Sequence, residues 1–238
     1  DPDSVPFWVH NKQKKAWPLS RSLNCAVQLA RALQYCHDDA FPGYRVLHRD
    51  VKPNNIGFLA NGDLVLFDFG LASLWRRGNG DKTDDDPRPL TGETGSMRYM
   101  APEVANSWPY NHKAEVYSFG SVMWELCSCK KPFLDFFTED QFKISIASGM
   151  HPKINKKWPQ PLQDIFTACF SLDVNARPEF SQLLPTLEDL LTQTYRKEIA
   201  GGNKKTAASG KVGAADSPGG FAYVQVRAEA TAAEVLSA

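Results

Sequence analysis

Residues 48–55, HRDVKPNN, set three side chains able to do chemistry within a short stretch: Asp50, Lys52 and Asn55. An ionised aspartate can accept a proton within hydrogen-bond reach, and a lysine offers a point charge to negative oxygens. Asn55 and the later Asp68 bring hard oxygen donors of the kind a hard cation prefers. Taken singly, each reads as a helix cap or a turn residue. The pattern is more specific, because H-R-D-x-K-P-x-N fixes six positions, roughly one start in tens of millions under equal residue usage. LFDFG at 66–70 and MAPE at 100–103 follow in order, each in a loop beside an apolar, strand-like run.

Something must hold these loops. Leu19, Leu23, Ala26, Val27, Ala30 and Leu33 recur at helical steps, which predicts a helix over 19–37 with Ser20 or Ser22 as its cap. Short β pieces are predicted at 45–48, 56–59 and 64–67, with Asn61-Gly62-Asp63 turning between the last two. The stretch 76–89, RRGNGDKTDDDPRP, has the composition of a surface loop. Residues 113–127 are apolar almost all round, as a buried central helix would be. Shorter helices are predicted at 139–148, 161–170 and 180 to about 195, with Pro185 kinking the last or marking its true start. Beyond 200 the chain is low in complexity and too poor in large apolar side chains to repay ordering. That predicts a disordered tail over 200–238, in which FAYVQV at 221–226 alternates like a docking strand.

Composition narrows the function classes. With 238 residues and 42% hydrophobic content, the chain can build one sizeable core. Lys+Arg and Asp+Glu are both 27, so no field of one sign would draw it to nucleic acid or to an acidic membrane. Five cysteines, odd in number and without a C-x-x-C pair, argue against a disulfide framework or a zinc site. No signal-peptide layout opens the chain, and no apolar run approaches the ~18 residues of a membrane span. A soluble, cytoplasmic protein is expected.

Together the three motifs resemble the catalytic loop, the D-F-G and the A-P-E of eukaryotic protein kinases, over about residues 5–198. The resemblance implies a mainly α fold, the large C-terminal kinase lobe with short β-hairpins at the cleft, over a domain spanning 1–199. It implies ATP-dependent phosphoryl transfer to serine or threonine hydroxyls of a protein substrate, with Mg2+. Asp50 would then be the carboxylate that orients the hydroxyl, and Lys52 the residue beside the transferred phosphate that marks the serine/threonine type. Asn55 and Asp68 would hold the metal and the ATP phosphates. Ser96 stands where kinases keep a threonine that bonds the catalytic Asp and Lys. Arg49 would grip a phosphate on the activation loop, with Thr91 and Thr94 as the phosphosites. Glu103 and Arg177 would form a structural ion pair, and His48 and Phe69 would belong to the stack linking the two lobes. VMWELCSCKKPF and ACFSLDVNARPEF resemble the tyrosine-kinase-like group.

Some residues depart from that pattern. EVYSFG opens with Glu115 where kinases place an aspartate, so an altered catalytic-loop geometry is expected. Gly57 stands where an apolar side chain usually lies under the adenine ring, which implies a thinner floor and weaker nucleotide binding. No glycine-rich loop, no V-A-I-K lysine and no helix with its glutamate partner precedes Leu19. The small β-rich lobe is thus expected to be missing from these residues, and they should transfer little phosphate alone. They would be a piece of a longer kinase, or a truncated product. The alternative function is a non-catalytic scaffold of kinase fold that binds partners.

Overall fold

The computed structural model describes residues 17–78, 86–134 and 138–207, with side chains as far as residue 200. The FAYVQV segment lies outside them, as do residues 79–85 of the expected surface loop.

Helix α1 (Leu19–Gln34) buries the stripe its spacing foretold: Leu23, Ala26, Ala30 and Leu33 are wholly shielded from solvent. It gives way to a π-helical turn over Tyr35–Asp39, which carries His37 into the interior. Neither serine caps α1, contrary to the sequence reading. Pro18 occupies the cap position without a side-chain bond. Ser22 donates its hydroxyl to the Leu126 carbonyl at 2.8 Å, and the Ser20 N–H and hydroxyl go to Glu198 at 3.3 and 2.5 Å. The helix start is buried, so its polar groups find partners on neighbouring helices instead of on their own turn.

Helix α2 (Pro102–Ala105) is short, and α3 (Lys113–Ser128) runs through the core. Val116, Phe119, Val122 and Met123 of α3 are all fully buried, which accounts for its apolar content on every side. Helices α4 (Glu139–Ala147) and α5 (Gln160–Cys169) follow. Helix α6 (Phe180–Ala207) runs past the expected end near residue 195 and into the stretch read as a disordered tail, and Pro185 lies inside it, not at its start. Tertiary contacts explain the extension. Arg31 pairs with Glu188 at 2.7 Å and Ser20 with Glu198, so α6 lies antiparallel along α1 and gains anchors that its own sequence does not advertise.

Two antiparallel pairs complete the body. Strand β1 (Tyr44–Leu47) pairs with β4 (Ser73–Arg76), and β2 (Ile56–Phe58) with β3 (Leu64–Leu66). Strand β4 has no counterpart in the sequence reading; its Trp75 is buried and packs under the Arg88 guanidinium, 4.1 Å from the ring centroid. Between β2 and β3, Asn61 Oδ1 accepts from the Asp63 N–H at 3.1 Å and Gly62 takes a φ of 89°, the turn that the Asn-Gly-Asp sequence predicts. The described residues thus form a mainly helical body with short antiparallel strands. No helix among them is long and apolar enough to cross a membrane.

Candidate active site

The segment after β1 carries the HRD motif. His48 is fully buried, and its Nδ1 accepts from the Asp50 N–H at 3.2 Å, which makes Nε2 the donor to the Phe67 carbonyl at 3.0 Å. Its ring lies 4.7 Å from that of Phe69. One buried imidazole thereby ties the HRD segment to the DFG segment.

Arg49 has a left-handed backbone, φ 67°, and its N–H is held by Glu115 Oε1 at 2.7 Å. Glu115 Oε2 meets His37 Nε2 at 2.6 Å. Burial opposes the charge on Glu115, yet the bonds from His37 and the Arg49 N–H outweigh it and hold the carboxyl below the usual range. The extra methylene of Glu115 therefore does not detach α3 from the catalytic loop: the carboxylate still takes the loop's N–H.

Asp50 is 7% exposed. Its Oδ2 receives Lys52 Nζ at 2.6 Å and Asn55 Nδ2 at 3.1 Å, while Asn55 Nδ2 also reaches the Asp50 carbonyl at 2.9 Å. Its Oδ1 is buried and has no hydrogen-bond partner among the described residues. A buried carboxylate oxygen without a partner costs free energy in the resting protein, which is what a site awaiting a donor looks like. Of the three residues that spacing singled out in HRDVKPNN, Asp50 therefore touches both of the others.

Asn55 immediately precedes β2 and Asp68 follows β3. The pairing Ile56↔Leu66, continued by the Phe67 N–H to the Asn55 carbonyl at 3.1 Å, brings both to the same end of the hairpin. Asp68 is exposed and left-handed, φ 64°, and a Cβ on Gly70 would lie 3.3 Å from its Oδ1, so glycine leaves the carboxylate room. Since the Asn55 amide nitrogen is committed to Asp50, its oxygen is the atom left to bind a cation.

Ser96, Thr94, Arg49, Asp50 and Tyr110 line one cavity. Ser96 is half-buried there, and among the described residues its hydroxyl makes no hydrogen bond to Asp50 or Lys52, which instead pair directly. Gly95 explains how close the two segments come: φ is +103° and a Cβ would sit 2.4 Å from the Arg49 carbonyl oxygen. The Arg49 guanidinium donates to the Thr91 carbonyl at 2.8 Å, to the Thr91 hydroxyl, and to the Thr94 hydroxyl at 3.0 Å.

Sequence reasoning missed Tyr110. Its hydroxyl accepts from Arg49 Nε at 3.1 Å and donates to the Thr91 carbonyl at 3.2 Å, and its backbone pairs with Arg88 at 3.0 and 3.1 Å. It was also silent on Tyr99, which donates to Glu125 at 2.7 Å and so ties the segment after Ser96 to α3. Burial pushes the Glu125 carboxyl up to about 7, with the Tyr99 bond opposing the rise. Farther out, the Arg177 guanidinium meets Glu103 in a two-pronged pair, Nη1 to Oε1 and Nη2 to Oε2 at 3.0 Å. Both residues are buried.

Comparison with known proteins places this geometry. The profile described as "Protein kinase domain" matches residues 5–187. "Serine/threonine-protein kinase VIK" of Arabidopsis thaliana is 33% identical over 75% of this chain and 40% of its own length. "Serine/threonine-protein kinase STY46" of the same plant is 29% identical over 87% of this chain and 33% of its own. "Mitogen-activated protein kinase kinase kinase 7" of Drosophila melanogaster is 28% identical over 84% of this chain and 27% of its own. The chain thus spans between about a quarter and two-fifths of these relatives. With the profile matched over most of its length and Asp50 in contact with both Lys52 and Asn55, this chain belongs to the protein kinase family.

Proposed function

We propose that these residues carry the phosphoryl-transfer site of a serine/threonine protein kinase, with ATP as donor, Mg2+ as cofactor and a protein hydroxyl as acceptor. The observation that carries this reading is Asp50: a buried carboxylate held through Oδ2 by Lys52 and Asn55, with Oδ1 left without a partner. Asp50 Oδ1 orients the acceptor hydroxyl and takes its proton as the oxygen attacks phosphorus. Lys52, 23% exposed at its side chain, holds the Asp50 side chain in place through Oδ2 and turns its charge toward the phosphate oxygens. Asn55 and Asp68 would hold the metal, which when bound neutralises the charge on those oxygens.

The donors fit that cation. Magnesium is held by one or two protein oxygens and completes its shell with phosphates and water, so a dedicated cage is not required. Among the described residues no group of three His, Cys, Asp or Glu side chains forms such a cage. The serine/threonine assignment rests on Lys52 and on the names of the relatives. Ser96 stands within the cavity, placed to approach Asp50 and Lys52 once substrate separates them. Residues 1–199 act as the catalytic domain's large lobe, with 200–238 as an appendage into which α6 extends as far as Ala207.

The test is calorimetry and phosphate transfer with the intact protein. Asp68→Ala should abolish magnesium-dependent ATP binding, and transfer to a serine/threonine peptide with it. Undiminished Mg·ATP affinity in that variant would refute the metal assignment. Tight Mg·ATP binding without any transfer by the unmodified protein would favour the scaffold reading instead.

A second expectation concerns regulation. Arg49 already touches both threonine hydroxyls, so a phosphate on Thr91 or Thr94 would give its cationic guanidinium an anionic partner in place of a neutral hydroxyl. Amide exchange across residues 86–95 should slow on phosphorylation, and Arg49→Ala should remove the difference. Equal exchange in modified and unmodified protein would count against the switch.

A further inference from the structure

The segment that follows Ser96 serves two neighbours. Tyr99 and Met100 line the cavity that holds Asp50 and Ser96, while Arg98, on the short turn Met97–Tyr99, reaches instead for the loop after α3. Its Nη1 donates to the Phe133 carbonyl at 2.7 Å and to the Pro132 carbonyl at 3.5 Å. Lys130 and Lys131 belong to that loop, the first exposed and the second half-buried. Three cations therefore gather along one wall beside the cavity of the catalytic carboxylate.

Little negative charge answers them. Arg98 spends its bonds on neutral carbonyls, and neither 96–102 nor 126–134 contains an Asp or Glu. Glu103 faces Arg177, and Glu93 pairs with Lys143. Glu125 does stand under the wall, 1% exposed, where it accepts the Tyr99 hydroxyl at 2.7 Å. Burial pushes its carboxyl up to about 7 against the pull of Lys131 and Arg98, so near neutral pH it carries only part of a charge. Since Lys+Arg and Asp+Glu are equal over the whole chain, this positive excess is local.

We propose that Arg98, Lys130 and Lys131 select acceptor segments that carry Asp or Glu within about four residues of the hydroxyl. The proposal rests on the phosphoryl-transfer reading and adds which class of protein segment the site takes. An acceptor must bring its hydroxyl to Asp50 Oδ1, and an extended chain advances about 3.3 Å per residue, so its next few side chains run along the neighbouring wall. Carboxylates there meet cations, whereas lysines or arginines meet like charge. Lysine is a point charge on a flexible stem, so the wall reads acidity near the hydroxyl and not one residue at one place. None of the three cations touches the reacting atoms, so the effect belongs to binding and not to the chemical step.

The experiment is steady-state phosphate transfer by the intact protein to three serine peptides of one length, flanked by Asp and Glu, by Ala, or by Arg. The acidic peptide should exceed the alanine peptide by about five- to thirtyfold in kcat/KM, the product of two or three exposed pairs, and mostly through KM. The arginine peptide should fall below both, and added salt should narrow the gap. Lys130→Glu with Lys131→Glu should reverse the order of the charged peptides and leave transfer to the alanine peptide unchanged. Lys130→Gln with Lys131→Gln should remove most of the preference without reversing it, and serves if the reversed variant folds poorly. Equal kcat/KM for acidic and alanine peptides, or a preference that survives both double variants, overturns the acidic selection alone. Transfer to none of the three peptides overturns the phosphoryl-transfer reading and this proposal with it.

Discussion

Asp50→Asn is expected to lower turnover by about two to four orders of magnitude while Mg·ATP affinity stays within about twofold. The substitution keeps shape and removes charge. Asn55 and Lys52 both reach Asp50 through Oδ2, so an amide there retains the steric fit but gives Lys52 no anion to pair with. At Oδ1, the oxygen without a partner, the proton acceptor is lost, and that loss acts only when the hydroxyl attacks. Asp50 is not one of the two residues assigned to the metal, so ground-state nucleotide binding should barely move. Single-turnover transfer measured alongside calorimetry separates the two effects. Turnover within a few-fold of the unmodified protein would remove Asp50 from the chemical step, and a large loss of nucleotide affinity would place it among the metal ligands instead.

Local chemistry makes the centre of the site legible in the sequence. Asp50, Lys52 and Asn55 lie within six positions, and a short loop can hardly avoid bringing them together. The β2–β3 hairpin announces itself through Asn-Gly-Asp, and with it the common end that carries Asn55 and Asp68. Contacts between distant segments are not legible. Tyr110 reaches Arg49 across 61 positions, and a tyrosine before a helix looks the same whether or not an arginine waits for its hydroxyl. Likewise nothing in α6 alone says that Glu198 will take the Ser20 N–H, so composition ends the helix too early. Strand β4 escapes because four residues are too few to display a period, and its pairing with β1 supplies what its own pattern lacks. Phe67 and Gly57 are the subtler case: each is visible, but only strand register makes them neighbours.

The largest effect on stability should come from Arg177. Its guanidinium is 1% exposed and spends every nitrogen: Nε on the Ser171 carbonyl at 2.9 Å, Nη1 on Glu103 and on the Lys113 carbonyl at 3.3 Å, Nη2 on Glu103 at 3.0 Å. The same group sits 5.3 Å from the centroid of the Tyr117 ring. Thus α2, the start of α3 and the loop before α6 converge on one side chain. Arg177→Met would preserve much of the volume but leave the Glu103 carboxylate buried, at 5% exposure, with no cation to face. Removing one partner of a buried pair costs about 3–5 kcal/mol, and in a protein of this size each kcal/mol moves Tm by about 2–4 °C. A fall of roughly 6–20 °C follows, and a loss of about 3–5 kcal/mol is a large part of the roughly 5–15 kcal/mol that domains commonly have. Adding Glu103→Leu should return part of that loss, since no unpaired charge then remains, although the Ser171 and Lys113 carbonyls stay short of a donor. The double variant should nevertheless hold the activation segment less firmly, because α2 follows Met100 and Ala101 directly and Glu103 is one of its ties to the rest of the body. Thermal unfolding of the two single variants and the double closes the cycle. Additive losses, with no recovery in the double variant, would mean that the pair contributes packing alone and that the charge on Glu103 is tolerated without its arginine.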